Sequence, residues 1–214
     1  STQGVSSAAS DVYKRQANRR GTLIACRPDP EIFGTGAAFV PARVYRMARS
    51  KAYLFRGVQI RWTCAPTLIN GKDQTPTEAI LHFPNGLADF LAESLQDGPT
   101  VTPQPFAGRA DLTEDEGEVE WAMHWPLESE GFVNSYCNSV PTTQGGAHEV
   151  GFRAALTKGL KAYGEMANVR KASQLTADDI LGPAAAMLSV YIRQPQFSGQ
   201  TKEKLSHPNA ARWV

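Results

Sequence analysis

The stretch Glu118-Val119-Glu120-Trp121-Ala122-Met123-His124-Trp125 carries the clearest strand pattern in the chain. Its largest apolar residues occupy every second position, which is the period of a strand with one buried face. Two of them are tryptophans, and two indole rings on one face need a large apolar partner surface, most simply an amphipathic helix. The stretch therefore predicts a sheet that packs against a helix.

The partner helix is predicted after Gly145 and Gly146. Apolar residues follow the three-four spacing of an amphipathic helix over about four turns. They are Phe152, Ala155, Leu156, Gly159, Leu160, Tyr163 and Met166. Each large apolar side chain contributes on the order of 2 kcal/mol when it is fully buried. We therefore expect this whole stripe to be buried.

Upstream of this pair, the pattern indicates a strand, a helix and a second strand. Residues 21–26 form a short apolar run, Pro41 begins a helix that extends to about Phe55, and residues 58–64 alternate with period two. The buried stripe of the helix is expected at Val44, Met47, Ala48 and Leu54. These elements make an incomplete α+β unit.

The remaining segments extend the same α+β pattern. Residues 77–83 indicate a strand, and Asn85 is expected to cap a short helix. Its apolar face is expected at Leu87, Phe90, Leu91 and Leu95. Residues 96–110 contain three prolines and are expected to be an extended connection. Thr176 with Asp179 resembles a helix-capping pair, and residues 185–192 indicate a buried strand.

Composition restricts the class of protein. The 214 residues are 42% hydrophobic and 20% charged, as in an ordinary globular protein. The net charge of +1 gives no overall basicity that would favour nucleic acid. Cys26, Cys64 and Cys137 have no zinc-binding spacing and are odd in number, which indicates a reduced, cytoplasmic setting. No membrane span or signal peptide is predicted.

The first residues differ in character from the rest. Residues 1–16 are rich in serine, glycine and alanine and show neither helical nor strand periodicity. Such a segment cannot bury enough apolar surface to order itself. We expect it to be disordered and foreign to the fold.

The loop Pro195-Gln196-Phe197-Ser198-Gly199-Gln200-Thr201-Lys202 is the main candidate for chemistry. Lysine is a compact charge on a flexible stem that can bind a phosphate and release it. Gly199 permits a backbone turn that a side chain would hinder. Taken alone, such a short motif is most often a solvated loop.

Seven stretches, in this order along the chain, resemble the B-subunit family of type IIA DNA topoisomerases, which includes bacterial topoisomerase IV and gyrase. They lie at residues 20–22, 28–33, 85–91, 135–138, 145–149, 188–190 and 195–202. The proline-rich stretch 102–108, together with Trp121 and Trp125, resembles topoisomerase IV more than gyrase. A gyrase B fragment is the alternative within the family.

The resemblance implies a domain organisation. In this family a GHKL (Bergerat) ATPase domain precedes a transducer domain, which has the ribosomal protein S5 domain 2-like fold with helices on one face of a small sheet. Residues 17–75 are then expected to be the last strand-helix-strand of the ATPase domain. Residues 76–214 are expected to be the transducer, truncated at its C-terminus. The rest of the ATPase domain is expected upstream, and a DNA-cleavage domain downstream.

The resemblance also implies roles for three residues. Lys202 matches the family lysine that contacts the γ-phosphate of ATP, Gln200 the glutamine beside it, and Thr22 a threonine in the adenine pocket. The family's catalytic glutamate and its Mg²⁺ ligand would lie upstream. No catalytic or metal-binding residue is therefore expected here, and this fragment alone is expected to be inactive.

The function implied by the resemblance is ATP-driven relaxation and decatenation of DNA by double-strand passage. This region would couple ATP binding and hydrolysis to the movement of a DNA gate. The implied partners are DNA, the A subunit of topoisomerase IV in an A2B2 heterotetramer, and a second copy of the ATP-binding subunit, which joins the first when ATP binds. No membrane partner is expected.

His148 and Glu149 admit either an acid-base or a structural interpretation. His148 and Glu149 are neighbours at a predicted helix start, where adjacent side chains do not face each other and a glutamate complements the helix dipole, so we expect a structural role. Ala147 stands where the family usually has threonine.

The S5-like fold also occurs in nucleic-acid-binding modules. In that alternative the binding surface would be the helix face with Arg43, Arg46 and Arg49.

Overall fold

The computed structural model describes residues 21–71, 74–96, 98–112 and 116–214. The disorder expected for residues 1–16 lies outside these ranges. Contacts divide the chain into two compact units, residues 1–40 and 41–214. This division by contacts does not test where the domains of a family begin and end. The domain boundary predicted near residue 75 therefore stays a prediction.

The first unit contains one short helix, α1 (Pro30–Phe33), within its described residues. Asp29 Oδ1 accepts a hydrogen bond of 2.9 Å from the amide of Glu31 and caps the helix. The strand predicted over residues 21–26 is wrong, since Leu23 and Ile24 are 70% and 78% exposed in irregular backbone. A strand needs a neighbour for its backbone hydrogen bonds, and no described strand pairs with this segment.

The second unit begins with α2 (Pro41–Leu54), β1 (Gln59–Thr63) and β2 (Glu78–His82), all as predicted. β1 and β2 form a two-stranded antiparallel sheet. The stripe predicted for α2 is only partly right, because Leu54 is buried whereas Met47 is 58% exposed. Buried residues of α2 are confined to its last turn, at Ala52, Tyr53 and Leu54. The helix therefore docks by its C-terminal end.

Helix α3 (Leu87–Leu95) follows β2, and Leu87 and Leu91 are fully buried as predicted. The cap predicted at Asn85 is wrong, since the N-cap is Gly86. Asn85 instead donates from its backbone and side-chain nitrogens to the carboxylate of Asp89, at 2.8 and 3.0 Å. Gly86 has a φ of 62°, and a Cβ there would lie 2.7 Å from an oxygen of Glu120. Only glycine fits this position easily.

A five-stranded sheet forms the centre of the second unit. Its strands are β3 (Phe106–Asp111), β4 (Gly117–His124), β5 (Phe132–Cys137), β6 (Val140–Pro141) and β7 (Ala185–Ile192). Their order is β3-β4-β7-β5-β6. β5 and β7 are parallel, and the other neighbours are antiparallel. The predicted strands β4 and β7 are confirmed, and β7 is buried along nearly its whole length.

The prediction of an extended connection over residues 96–110 is wrong at its C-terminal end, where β3 begins at Phe106. Gly108 lies opposite Trp121, and a Cβ on Gly108 would be 2.5 Å from the indole ring. The indole of Trp121 therefore covers the bare backbone of the glycine. β3 has mostly small and polar residues without an apolar alternation, and it pairs with β4 along its whole length.

The C-terminal half adds α4 (Ala147–Met166), α5 (Ala177–Leu181) and α6 (Ala210–Trp213), with a 3-10 turn at Arg170–Gln174. Another 3-10 turn, at Pro66–Leu68, lies between β1 and β2. The capping box of Thr176 and Asp179 is confirmed. The long stripe predicted for α4 is wrong over most of its length, since Phe152 is its one buried member. Leu156 and Leu160 are half-buried, Ala155 and Gly159 are exposed, and Tyr163 and Met166 are 66% and 78% exposed. The last turn of α4 instead packs Gly164 against Ala172 of the 3-10 turn, which directs the stripe outward.

Helices cover both faces of the sheet, which corrects the expectation of one covered face. On one face α4, α5 and α6 pack over Met123, Leu188 and Val190. On the other, α2 and α3 pack over Ala122 and Met187. β7 carries buried apolar residues on both of its faces, so each face of the sheet needs a cover. The α+β class is confirmed.

Candidate functional site

The Lys202 loop is the tip of a short hairpin. An antiparallel bridge joins Phe197 to Leu205, and Ser198 N donates to Lys204 O at 2.9 Å. At the tip, the Lys202 amide lies 3.4 Å from the carbonyl of Gly199. The φ angles of Gly199 and Lys202 are 88° and 58°. Glycine adopts such a φ without strain, whereas lysine rarely does.

The side chains of the tip have few contacts with the rest of the described chain. Gln200, Thr201 and Lys202 are all exposed. Lys202 Nζ lies 5.8 Å from the ring centroid of Phe197, at the outer limit of a cation–π contact. Among the described residues no carboxylate forms an ion pair with Lys202. Its ammonium group is therefore available to an external anion.

The base of the hairpin is fixed by Leu205, which is 1% exposed. Leu205 N donates to Gly145 O at 3.1 Å, and Leu205 O accepts from Ala147 N at 3.0 Å. Gly146 lies between these bonds, and a Cβ there would be 2.3 Å from Leu205 O. The glycine pair thus lets the hairpin approach the start of α4 at backbone distance.

A second connection joins Gln144 to Glu203, the residue after Lys202. The Gln144 amide donates to Glu203 O at 2.9 Å, and Gln144 Nε2 donates to Glu203 Oε2 at 3.0 Å. Two bonds between the same residues fix both backbone and side chain. These two bonds therefore hold the hairpin tip next to the segment that precedes α4.

A polar network lies beside these contacts. Ser135 Oγ is 2.5 Å from both Thr142 Oγ1 and Glu149 Oε1, and Thr142 Oγ1 is 3.1 Å from His148 Nε2. Because Ser135 has one proton and Glu149 needs a donor, the bonds run from His148 through Thr142 and Ser135 to Glu149. This direction places the proton of the neutral imidazole on Nε2.

His148 has no exposed surface, and its burial lowers the pKa to about 4. It is therefore neutral near pH 7. His148 Nδ1 has no hydrogen-bond partner among the described residues. Glu149 contacts Ser135 rather than its neighbour, so the pair has the structural arrangement that was expected.

The three predicted site residues fall into two groups. Gln200 and Lys202 lie together at the hairpin tip in the second unit. Thr22 is an exposed residue of the first unit, in the irregular segment before α1. The roles of all three stay predictions.

The arginine face of α2 is less open than the nucleic-acid alternative requires. Arg43 and Arg46 are exposed. Arg49 forms an ion pair with Glu93 at 2.6 Å and lies 4.7 Å above the ring of Phe90. One of the three charges is thus already used within the fold.

Residues 21–71, 74–96, 98–112 and 116–214 contain no group of three histidine, cysteine or acidic side chains placed to bind a metal. No helix in those same ranges has the length and apolar character needed to cross a bilayer.

Sequence patterns alone did not identify Gln144, Glu203, Ser135 or Thr142 as parts of this site. The available signal was the pair Gly145-Gly146, since adjacent glycines before a helix often mark a close backbone approach. That signal does not reveal which segment approaches.

Curated relatives share much of this sequence. The B subunit of DNA topoisomerase 4 from Caulobacter vibrioides is 56% identical over 202 residues, covering 92% of this chain and 29% of the relative. The protein of the same name from Escherichia coli (strain K12) is 36% identical over 197 residues, covering 91% and 29%. The chain therefore spans about 29% of the length of these relatives.

Solved structures show the same fold. The 43K ATPase domain of Thermus thermophilus gyrase B, in complex with an aminocoumarin, has a TM-score of 0.69 and 30% identity, covering 87% of this chain and 48% of that one. The topoisomerase IV ATP-binding domain of Francisella tularensis, with a small-molecule inhibitor, has a TM-score of 0.64 and 26% identity, covering 85% and 46%.

The family model described as DNA gyrase B matches residues 86–214, which is more than half of the chain. These residues include the whole five-stranded sheet, α4 and the Lys202 hairpin. The chain belongs to the DNA gyrase B family.

Proposed function

We propose that this chain is part of the ATP-hydrolysing subunit of a type II DNA topoisomerase that relaxes and decatenates DNA. Two relatives, both named as B subunits of DNA topoisomerase 4, are 56% and 45% identical and favour topoisomerase IV over gyrase. In this proposal residues 17–75 end the GHKL ATPase domain, and residues 76–214 belong to the transducer. The enzyme works on DNA in the cytoplasm.

The observation that carries the proposal is a cation, at the tip of an anchored hairpin, that forms no ion pair with any described residue. The ammonium group of Lys202 is exposed, whereas Leu205, three residues later, is buried in the core. Lysine donates charge-assisted hydrogen bonds to phosphate oxygens. A Cβ on Gly199 would have no atom within 4 Å, so there is open space beside the tip. The loop therefore suits the terminal phosphate of a nucleoside triphosphate.

In the proposed mechanism, Lys202 and Gln200 bind the γ-phosphate of ATP, and Thr22 contributes to the adenine pocket. Bound ATP supplies the free energy of phosphoanhydride hydrolysis, and Mg²⁺ is held by residues outside this chain. Lys202 loses its anion when phosphate leaves. Because the hairpin base is bonded to residues 145–147, that loss releases a constraint on the start of α4.

The proposed assembly contains two copies of the ATP-hydrolysing subunit and two A subunits. Binding of ATP would bring the two ATP-hydrolysing subunits together, so that a contact at Lys202 affects opening and closing of a gate for DNA. The role of the present residues is to report the state of the nucleotide to the transducer.

The proposal is tested by Lys202→Ala in the full-length subunit that contains this segment. A charged hydrogen bond contributes enough that we expect ATP turnover and ATP-dependent DNA relaxation to fall by about tenfold or more. Lys204→Ala is the matched control, because Lys204 is also exposed but lies on the hairpin arm. Unchanged turnover and relaxation in Lys202→Ala would contradict the proposal.

A further inference from the structure

The Lys202 tip has few contacts that determine where its ammonium group lies. Within the tip, the Lys202 amide and the Gly199 carbonyl form a long hydrogen bond of 3.4 Å. Among the described residues, the side chain of Lys202 has only the distant contact with the Phe197 ring, at 5.8 Å. The position of Lys202 therefore depends on the residues that flank it.

Glu203 is the first residue after Lys202 that bonds outside the hairpin. Its backbone carbonyl and its carboxylate accept hydrogen bonds from the backbone and side chain of Gln144, at 2.9 and 3.0 Å. Gln144 lies two residues before the N-cap Gly146 of α4. This pair of bonds, the Gln144–Glu203 clasp, therefore fixes the Lys202 tip relative to α4.

The clasp pairs one uncharged amide with one carboxylate. An amide donor at position 144 satisfies the Glu203 carboxylate without adding a charge. An acid at position 144 would place two carboxylates at about hydrogen-bond distance, and their repulsion would push the two segments apart. The clasp is therefore sensitive to a single charge change.

We propose that Gln144 and Glu203 are positioning residues for Lys202, and that their clasp sets how well the site distinguishes a nucleoside triphosphate from a diphosphate. The inference rests on the proposed contact between Lys202 and the γ-phosphate. It assigns a role to two residues that do not themselves touch the nucleotide.

The experiment measures the affinity of the full-length protein for a non-hydrolysable ATP analogue and for ADP. Gln144→Glu is expected to weaken binding of the analogue by about fivefold, the effect of one lost hydrogen bond. ADP binding should not change, because ADP has no γ-phosphate. The double variant Gln144→Glu with Glu203→Gln reverses donor and acceptor and should restore the affinity to within about twofold of wild type.

Two controls separate positioning from other effects. Gln196→Glu adds the same charge to an exposed residue on the opposite hairpin arm and should leave both affinities unchanged. In a Lys202→Ala background, Gln144→Glu should have no further effect, since the group that it positions is gone.

The outcomes distinguish this inference from the proposed function. If Lys202→Ala weakens analogue binding but Gln144→Glu does not, the clasp has no positioning role and the proposed function stands. Equal losses for the analogue and ADP, or no recovery in the double variant, would also overturn the inference. If Lys202→Ala itself changes nothing, the proposed phosphate contact fails, and the inference fails with it.

Discussion

The hydroxyl groups of Tyr53 and Tyr136 lie 2.6 Å apart in the interior of the second unit. Tyr53 is in the last turn of α2 and Tyr136 is in β5, so this bond joins the helix to the central sheet. Burial raises the pKa of both hydroxyls. Both therefore stay protonated near pH 7, and one donates to the other.

Removal of one of these two hydroxyls should lower the free energy of unfolding more than removal of both. Tyr53→Phe leaves the Tyr136 hydroxyl buried without its partner, and we expect the free energy of unfolding to fall by about 1–2 kcal/mol. The double change to phenylalanine should recover part of this loss, because no polar group is then stranded. Urea unfolding of the chain measures both effects. Tyr163→Phe, at a residue that is 66% exposed, is the control and should change little.

The central strands were predictable because their patterns are strong and local. β4 alternates large apolar residues, and β7 is a run that is apolar except at Ser189, so each segment specifies its own conformation. β3 was not predictable, since its small and polar residues show no apolar alternation. The exposure of the last turn of α4 was also not predicted. Gly164 packs there against Ala172, and helical periodicity carries no information about that contact.

The candidate site was predictable only at its tip. A lysine after a glycine in a polar loop can be recognised from adjacent residues, as for Gly199 and Lys202. The clasp joins Gln144 to Glu203, which are 59 residues apart, and no local pattern specifies such a pairing. Resemblance to a family located the loop, whereas only the fold shows what holds it.

Glu120 is a buried ion-pair residue whose loss we expect to be costly. Its Oε1 accepts hydrogen bonds from Arg56 Nη2 at 2.8 Å, from Arg56 Nε at 3.2 Å, and from the amide of Leu87 at 3.2 Å. The Leu87 amide is a donor at the start of α3 that has no partner within the helix. Glu120→Ala should therefore lower the free energy of unfolding by about 2–3 kcal/mol, as measured by urea unfolding.

The matched control is Glu118→Ala, on the same strand. Glu118 pairs with Arg109 at the surface, with side chains 30% and 51% exposed. Solvent screens such a pair, so the expected loss is less than about 1 kcal/mol. Equal losses for Glu118→Ala and Glu120→Ala would show that the buried contacts of Glu120 do not stabilise α3.

Gly146 and Gly199 provide a direct test of the hairpin anchor. Gly146→Ala should destabilise the chain by about 2 kcal/mol or more, because its Cβ would meet Leu205 O at 2.3 Å. Gly199→Ala also has a positive φ, but its Cβ would meet no atom within 4 Å. We expect it to cost only about 1 kcal/mol of backbone strain. Thermal unfolding ranks the two, and a larger effect at Gly199 would contradict the proposed anchor.

His148 should make the stability of the chain depend on pH in a defined direction. Its pKa is about 4 in the folded chain, against 6.5 for a free histidine, because burial disfavours the charged form. Between these two values the unfolded chain binds a proton that the folded chain does not. Stability is therefore fully present above about pH 6.5 and falls as the pH falls toward 4, by on the order of 3 kcal/mol in total.

The measurement is the free energy of unfolding in urea across that pH range, for the wild type and for His148→Gln. Glutamine can donate from a similar position to Thr142 but does not titrate. The variant should show a smaller slope with pH, although a slope remains because burial also lowers the pKa of His124. If the slopes of the wild type and the variant are the same, then burial does not keep His148 neutral in the folded chain across this pH range.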